Sequence, residues 1–96
     1  MEVRNVGFQE TFKALSDPTR REILELLKKK KMSAGEITAC FNISNATISH
    51  HLSILKNAGL IDDEKCGKYI YYELNLSVVE ELFGWIAALY DQGVNK

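Results

Sequence analysis

Residues 44–61 read SNATISHHLSILKNAGLI and predict one amphipathic helix that ends at a glycine. At about 100° per residue, three apolar side chains and one histidine fall on one side of this helix: Ile48, His51, Leu52 and Leu55. The other side carries small polar residues instead of the lysines and glutamates typical of a surface helix. Such a side can approach base edges and phosphates closely, which suits the major groove of DNA. The alternative is an ordinary amphipathic helix whose polar side faces water.

Composition limits the size and environment of the protein. Ninety-six residues, 46% of them hydrophobic, suffice for one small domain, so we assign residues 1–96 to a single domain. No apolar run approaches the roughly 18 residues of a membrane span, and residues 1–8 lack the layout of a secretory signal. We therefore expect a cytoplasmic protein without membrane insertion. Because the net charge is −1, any DNA-binding surface must be local.

The residues before position 44 predict three helices. Apolar residues at positions 8, 12 and 15 indicate a first helix over about residues 8–15. Asp17 and Pro18 have the pattern of a cap and first helical residue, so a second helix is expected to run to about residue 29 with Arg20 and Arg21 outward. Ser-x-x-Glu from position 33 is a capping box for a short third helix, to about residue 41.

With Ser44 as the cap of the fourth helix, the third and fourth helices predict a helix-turn-helix. Beyond Gly59 the apolar residues alternate. Leu60 and Ile61 open one strand, residues 64–68 form a turn, and positions 70, 72 and 74 mark the inward face of a second strand. A two-stranded hairpin in this position is a wing. The predicted fold class is mainly α with a small β-hairpin, a winged helix-turn-helix.

The last predicted helix begins with capping-box spacing at Ser77 and carries more apolar surface than one small core needs. Together with two phenylalanines of the first helix, this surface is too large to leave in water, which predicts a homodimer. The predicted interface residues are Phe8, Phe12, Leu82, Phe83, Trp85, Ile86, Leu89 and Tyr90. The alternative is that these residues all pack inside one domain.

Three motifs resemble the ArsR/SmtB family of bacterial winged-helix repressors: ALSDPTRREIL at 14–24, ISHHLSIL at 48–55 and GKYIYYEL at 67–74. Within it, the sequence is most similar to the SdpR-type autorepressor branch, which has the same double histidine and lacks metal ligands. The resemblance implies a homodimer whose first and last helices pair across a two-fold axis. It also implies that two fourth helices enter successive major grooves of a pseudo-palindromic operator, roughly 34–36 Å apart.

The resemblance places DNA contacts on the fourth helix: Ser44, Asn45, Ala46, Thr47, Ser49, His50 and Ser53. Asn45 can pair with an adenine edge. Ser44 and Ser53, at the two ends of this set, are candidates for phosphate contacts. His50 stands where relatives commonly have an arginine, so its weaker charge leaves the operator sequence open. His51 falls on the core side and is expected to be buried and hydrogen-bonded.

In the wing, Lys65 and Lys68 are the cations that can reach a phosphate or the minor groove. The acidic residues at positions 62–64 make this wing more acidic than in relatives, so a purely structural hairpin is the alternative. Of Arg20 and Arg21, one is expected to approach the DNA backbone and the other to pair with an acidic neighbour.

No metal site and no cofactor are predicted. Metal-sensing relatives use a Cys-x-Cys in the third helix or histidines in the last helix, but here the third-helix positions are Ser33 and Gly35 and the last helix has no histidine. A thiol switch is an alternative, because Cys66 lies in an exposed turn between lysines, whereas Cys40 is expected to be buried and inert.

The sequence shows no nucleophile elbow, glycine-rich phosphate loop or paired carboxylates, so it predicts no catalytic residues and no enzyme. The predicted function is a sequence-specific repressor with double-stranded operator DNA as partner. Its regulation is left open between its own concentration, autorepression and an unidentified protein partner that competes for its surface. The alternatives are a thiol-responsive repressor of the same family and a winged-helix module that binds protein.

Overall fold

A computed structural model of the protein describes the backbone of residues 2–94 and the side chains of residues 8–91. Its helices are α1 (Glu2–Leu15), α2 (Pro18–Leu27), α3 (Ala34–Ala39), α4 (Asn45–Asn57) and α5 (Ser77–Val94). Its strands are β1 (Met32–Ser33), β2 (Ile61–Cys66) and β3 (Tyr69–Leu74). The predicted fold class, a mainly α winged helix-turn-helix, is confirmed.

Local capping decides where three of the helices begin. Asp17 Oδ2 accepts a hydrogen bond from the N–H of Arg20 at 3.1 Å, which satisfies a free amide in the first turn of α2. Ser33 and Glu36 form a complete capping box before α3. Ser44 Oγ accepts from a first-turn N–H of α4 at 3.2 Å. These predicted helix starts are confirmed, while α2 and α3 end two residues earlier than expected.

The start of α5 differs from the prediction. Ser77 is the first helical residue and not the cap, because its own N–H donates to Asn75 Oδ1 at 2.9 Å. The predicted capping box is therefore wrong. Asn75, two residues upstream, accepts from the Ser77 N–H that the Glu80 carboxylate was expected to bind.

The sheet has three strands in the order β1-β3-β2, all antiparallel. The strand β1 was not predicted from the sequence; its Met32 and Ser33 pair with Tyr72 and Tyr71 of β3. The hairpin turn is only residues 67–68 and not 64–68, because β2 continues through Cys66. Gly67 adopts the positive φ, 63°, that such a tight turn requires.

The position of the hairpin determines which of its residues are buried. Tyr72 and Leu74, near the body, are partly buried as predicted. Ile70 is 42% exposed, so the expectation that it faces inward is wrong. It pairs with Lys65 in the outer half of the hairpin, beyond the helices that cover the inner half.

The core lies between the helices and the inner part of the sheet. Its largest fully buried apolar side chains are Ile23, Ile37, Ile48, Leu52, Leu55, Leu60 and Ile61. Each such side chain stabilises the fold by about 1.5–3 kcal/mol relative to full exposure. Three of them come from α4, so the core holds the buried side of this helix and directs its other side outward.

Candidate DNA-binding surface

The exposed side of α4 carries the side chains that the sequence analysis assigned to DNA. We call these residues the polar face of α4: Asn45, Ala46, Thr47, Ser49, His50 and Ser53, all exposed. They contain no formal charge other than that of a protonated His50. The face is therefore small, polar and open to a groove of DNA.

At the start of this face, Ser44 and Thr47 are hydrogen-bonded to each other. The Ser44 hydroxyl accepts from the N–H of Thr47 and donates to its Oγ1 at 3.0 Å. This pairing commits the Ser44 hydroxyl to the cap. A phosphate near Ser44 would thus be bound through the positive end of the helix rather than through a freely rotating hydroxyl.

The acidic residues of the wing lie in the part of β2 nearest the body, and each has a basic or amide partner. The pairs are Asp62 with Asn75 Nδ2 at 2.9 Å, Asp63 with Lys56 Nζ at 2.9 Å and Glu64 with Lys31 Nζ at 3.8 Å. Two of these three carboxylates are therefore paired with a lysine from outside the hairpin. Their repulsion of a DNA phosphate is reduced accordingly.

The Lys56–Asp63 ion pair joins the last turn of α4 to β2. The hydrogen bond to Asp63, together with its negative charge, raises the pKa of the Lys56 ammonium above its usual value. Burial, followed by the negative charge of Asp63, raises the pKa of the Tyr72 hydroxyl. These contacts connect the wing directly to the helix that carries the polar face.

The outer end of the wing has the opposite charge. Lys65 lies near the outer end of β2 and Lys68 lies in the turn, and both are exposed. The Lys68 ammonium lies 6.0 Å from the centroid of the Tyr69 ring. Within the part of the chain whose side chains are described, neither lysine is in a salt bridge. Both cations are thus available to a phosphate.

Beneath the polar face, His51 is largely buried, with 13% of its side chain exposed. Its Nδ1 lies 3.1 Å from Nη1 of Arg20 and 3.9 Å from Oδ2 of Asp17. A guanidinium group can only donate, so Nδ1 accepts and the neutral ring carries its proton on Nε2. The predicted role of His51 as a buried, hydrogen-bonded residue is confirmed.

Arg20 corrects one expectation, because it is only 9% exposed and so does not point outward. Its Nε donates to the carbonyl of Ala14 at 2.8 Å and its Nη2 to that of Lys13 at 3.1 Å. The neighbouring Arg21 is exposed and donates to the carbonyl of Leu15 at 2.7 Å. Both arginines satisfy carbonyls at the C-terminal end of α1.

The sequence did carry a signal for this arrangement. Pro18 at the first position of α2 places Arg20 at the third, and helical side chains tilt toward the N-terminus of their own helix. A long side chain at this position therefore reaches back toward the helix that precedes it. Hydrophobic periodicity alone does not reveal this role.

Asp17 lies beside the same group. Burial raises the pKa of its carboxyl, but the hydrogen bond from the backbone N–H of Arg20 and the positive charge of the Arg20 guanidinium outweigh this. The net effect holds the pKa below its usual value of 3.8. Asp17 is therefore an ionised counter-charge for the guanidinium at neutral pH.

Away from the polar face, α5 exposes a second, apolar surface. Phe83, Ile86, Ala87 and Tyr90 line a shallow apolar groove, with Phe83 74% and Tyr90 70% exposed. Trp85 lies nearer the body, with ring centroids 5.8 Å from Phe8 and 6.4 Å from Phe12.

The other predicted interface residues divide between surface and interior. Phe12, Leu89 and Trp85 are exposed and Phe8 is partly buried. Leu82 differs from the rest, because it is only 8% exposed in the single chain. It packs inside the protomer and has little surface left to offer a partner.

Both cysteines are free and exposed, so the expectation that Cys40 is buried is wrong. Its Sγ lies 3.5 Å from the carbonyl of Glu36, on the outer side of α3. Among the described residues, no group of three or more His, Cys, Asp or Glu side chains could hold a metal ion. No helix in the described part of the chain has the length and apolar content needed to cross a bilayer.

A helix-turn-helix followed by a hairpin wing, with an exposed polar side on its second helix, defines a winged helix-turn-helix protein. The sequence profile of the "Bacterial regulatory protein, arsR family" matches residues 17–63. The "Transcriptional repressor SdpR" of Bacillus subtilis is 51% identical over 84 residues, which cover 88% of this chain and 93% of that protein. The chain therefore belongs to the ArsR family.

Solved structures agree with this assignment. An "ArsR-like Transcriptional Regulator" from Rhodococcus sp. RHA1 has a TM-score of 0.83 and 28% identity, and the match covers 99% of this chain and 90% of that one. A possible ArsR-family regulator from Mycobacterium bovis has a TM-score of 0.72 and 26% identity, covering 92% and 82% of the two chains. Its solution structure is described as a homodimeric winged helix-turn-helix DNA-binding domain.

Proposed function

We propose that the protein is a homodimeric transcriptional repressor that binds a pseudo-palindromic operator with α4 of each subunit in the major groove. It acts in the cytoplasm, has no catalytic activity and needs no metal ion or cofactor. The observation that carries this proposal is the polar face of α4, held outward by three buried residues of the same helix. The identity with a transcriptional repressor over most of both chains supports it.

The apolar surface of α5 supports the dimer. Aromatic side chains bury about 150–250 Å² each, so Phe83 and Tyr90 alone leave on the order of 200 Å² of apolar surface in water. A two-fold interface would cover this surface with the same surface of a second copy. The homodimeric relative from Mycobacterium bovis favours the same arrangement.

On the polar face, each residue suits a different contact. Asn45 can donate to and accept from an adenine edge, and the methyl groups of Ala46 and Thr47 can contact a thymine methyl. His50 and Ser49 lie further along the groove, and Ser53 is suited to a phosphate. Lys65 and Lys68 would contact phosphates beside the groove, because the wing acids are already paired near the body.

A gel-shift titration with the DNA upstream of the gene for this protein tests the proposal. We expect binding that a scrambled duplex of equal length does not reproduce and that weakens steeply with salt, with a log-log slope of about −0.9 for each phosphate neutralised. Equal binding to both duplexes, or an affinity independent of salt, would contradict it. Zn(II) should leave the complex intact, whereas release by an oxidant would favour the thiol-responsive alternative.

Replacement of His50 tests the assigned face directly. We expect His50→Ala to weaken operator binding by about 1 kcal/mol or more, as for a lost base contact, and to leave the melting temperature unchanged because the side chain is exposed. Glu22→Ala, an exposed change on α2, is the control and should bind as the wild type does. Unchanged operator affinity in His50→Ala would place the contact surface elsewhere.

A further inference from the structure

The side chain of Arg20 connects three helices of the structure. It lies on α2, donates to two carbonyls at the C-terminal end of α1 and donates to His51 on α4. All three acceptors lie within 3.1 Å of a guanidinium nitrogen. The Arg20 side chain thus joins α1, which lies beside α5 in the apolar surface, to α4, which carries the polar face.

The shape of the guanidinium matters for this connection. A buried positive charge is costly, and here the carbonyl end of α1 and the ionised Asp17 offset that cost. The planar fork serves acceptors in three directions at once, which a lysine ammonium on a flexible stem does not reproduce. The guanidinium therefore fixes the directions of its hydrogen bonds as well as supplying a positive charge.

We infer that Arg20 is a positioning residue for DNA binding: by holding His51, it fixes the rotation of α4 relative to α1 and hence relative to the dimer axis. This inference rests on the proposed function. His51 is adjacent to His50, about 100° around the helix, so the direction of the polar face follows from the direction of His51. In a dimer, a small rotation of both copies of α4 would misalign the two faces with successive grooves.

The test compares Arg20→Lys with Arg21→Lys, the same change at the exposed neighbouring residue. We expect Arg20→Lys to remain folded and dimeric by circular dichroism and ultracentrifugation, yet to lose at least about tenfold in operator affinity, as for a lost hydrogen bond to a charged group. Its affinity for a scrambled duplex should change little, because phosphate contacts do not depend on exact register. Arg21→Lys should match the wild type in all four measurements.

His51 supplies a second, independent comparison. In His51→Asn, the amide oxygen can take the place of Nδ1 as acceptor, whereas His51→Leu has none. We expect His51→Asn to retain operator affinity within about threefold and His51→Leu to lose at least about tenfold, as for an unsatisfied charged donor. Nitrogen-15 spectra should show the His51 proton fixed on Nε2 in the wild type and Arg21→Lys, and redistributed in Arg20→Lys.

Several results would overturn the inference. Operator affinity equal to wild type in Arg20→Lys, or equal in His51→Asn and His51→Leu, contradicts it while the proposed function stands. If Arg20→Lys loses affinity equally for the operator and the scrambled duplex, Arg20 and His51 have only a stabilising role. The same conclusion follows if none of the Arg20 and His51 variants folds. Wild-type protein that binds no operator contradicts the proposed function, and the inference falls with it.

Discussion

Asp17 is a helix cap and a counter-charge at the same time. Because its folded pKa lies below 3.8, its ionised form stabilises the folded state fully above about pH 4, and that contribution is lost as the pH falls through the folded pKa. In Asp17→Asn the cap remains but the charge is absent. We expect the variant to be less stable by about 0.3–1 kcal/mol at pH 7, the usual value of a charge near a helix N-terminus.

Urea titrations of wild type and Asp17→Asn at a series of pH values measure this difference. The gap between the two free energies of unfolding should be constant from pH 7 to about pH 5 and should narrow below the usual carboxyl pKa of 3.8. A gap that widens on acidification would mean that the folded protein prefers the protonated carboxyl. That result would contradict the assigned sign of the shift.

Gly59 shows how one residue sets the connection between α4 and β2. Its φ of 79° lies in the left-handed region, and a Cβ there would come 2.9 Å from Cγ2 of Val78 on α5. Gly59→Ala is therefore expected to cost about 1–2 kcal/mol for the backbone alone, with more for the clash. Gly84→Ala is the matched control, because a Cβ at Gly84 in the middle of α5 meets nothing within 4 Å.

In thermal melts, the melting temperatures of Gly59→Ala and Gly84→Ala should therefore shift in opposite directions from that of the wild type. Gly84→Ala should stabilise the protein by about 0.5–1 kcal/mol, since alanine loses less conformational entropy than glycine inside a helix. If Gly59→Ala were as stable as Gly84→Ala, the left-handed end of α4 would not be needed for the packing of α5.

The starts of α2, α3 and α4 were predictable from the sequence because each depends on a few neighbouring residues. The caps at Asp17, Ser33 and Ser44 needed nothing beyond their own first turns. In contrast, β1 has two residues that pair only with a strand about forty positions later, and no local pattern indicates so short a strand. For Arg20 the position at the start of α2 did indicate a contact with α1, whereas its contact with His51 depends on another helix, α4, and had no local signal.

In the wing, the alternation of apolar residues predicts the two strands, but the pairing of charged side chains becomes visible only in the structure. The sequence placed acids and lysines side by side, whereas the structure separates them along the hairpin, with the acids paired near the body and Lys65 and Lys68 at the outer end. A count of charges therefore underestimates how much the wing can contribute to DNA binding. Which contacts α4 makes with particular bases still depends on an operator that the sequence does not encode.

The double variant Lys65→Ala/Lys68→Ala tests the wing. Each lysine that contacts a phosphate adds about 0.9 to the steepness of the salt dependence, so the log-log slope should become shallower by up to about 1.8. Affinity should fall similarly for all duplexes, because these contacts do not read sequence. Lys29→Ala/Lys30→Ala removes the same charge from exposed sites after α2 and should leave the slope nearly unchanged. Equal salt-dependence slopes in the two double variants would mean that the wing lysines contact no phosphate and that the wing is a structural hairpin only.

In the proposed dimer the two chains meet through the apolar groove of α5, and Phe83 is the residue that tests this interface most cleanly. Trp85 contacts Phe8 and Phe12 of the same chain, so its replacement would disturb the protomer as well. Phe83 is 74% exposed and supports little within the chain. In a two-fold interface, Phe83→Glu would bury two like charges without partners, at a cost of about 3–5 kcal/mol for each unpaired charge.

We expect Phe83→Glu to sediment as a monomer at micromolar concentration, to keep its helical circular dichroism and to lose operator binding, since one chain covers only one half-site. Tyr69→Glu is the matched control, an exposed aromatic residue changed to the same acid but on the wing. It should remain dimeric and weaken only DNA binding, by adding a negative charge near phosphates. A dimeric Phe83→Glu that still binds its operator would show that the two chains associate through another surface.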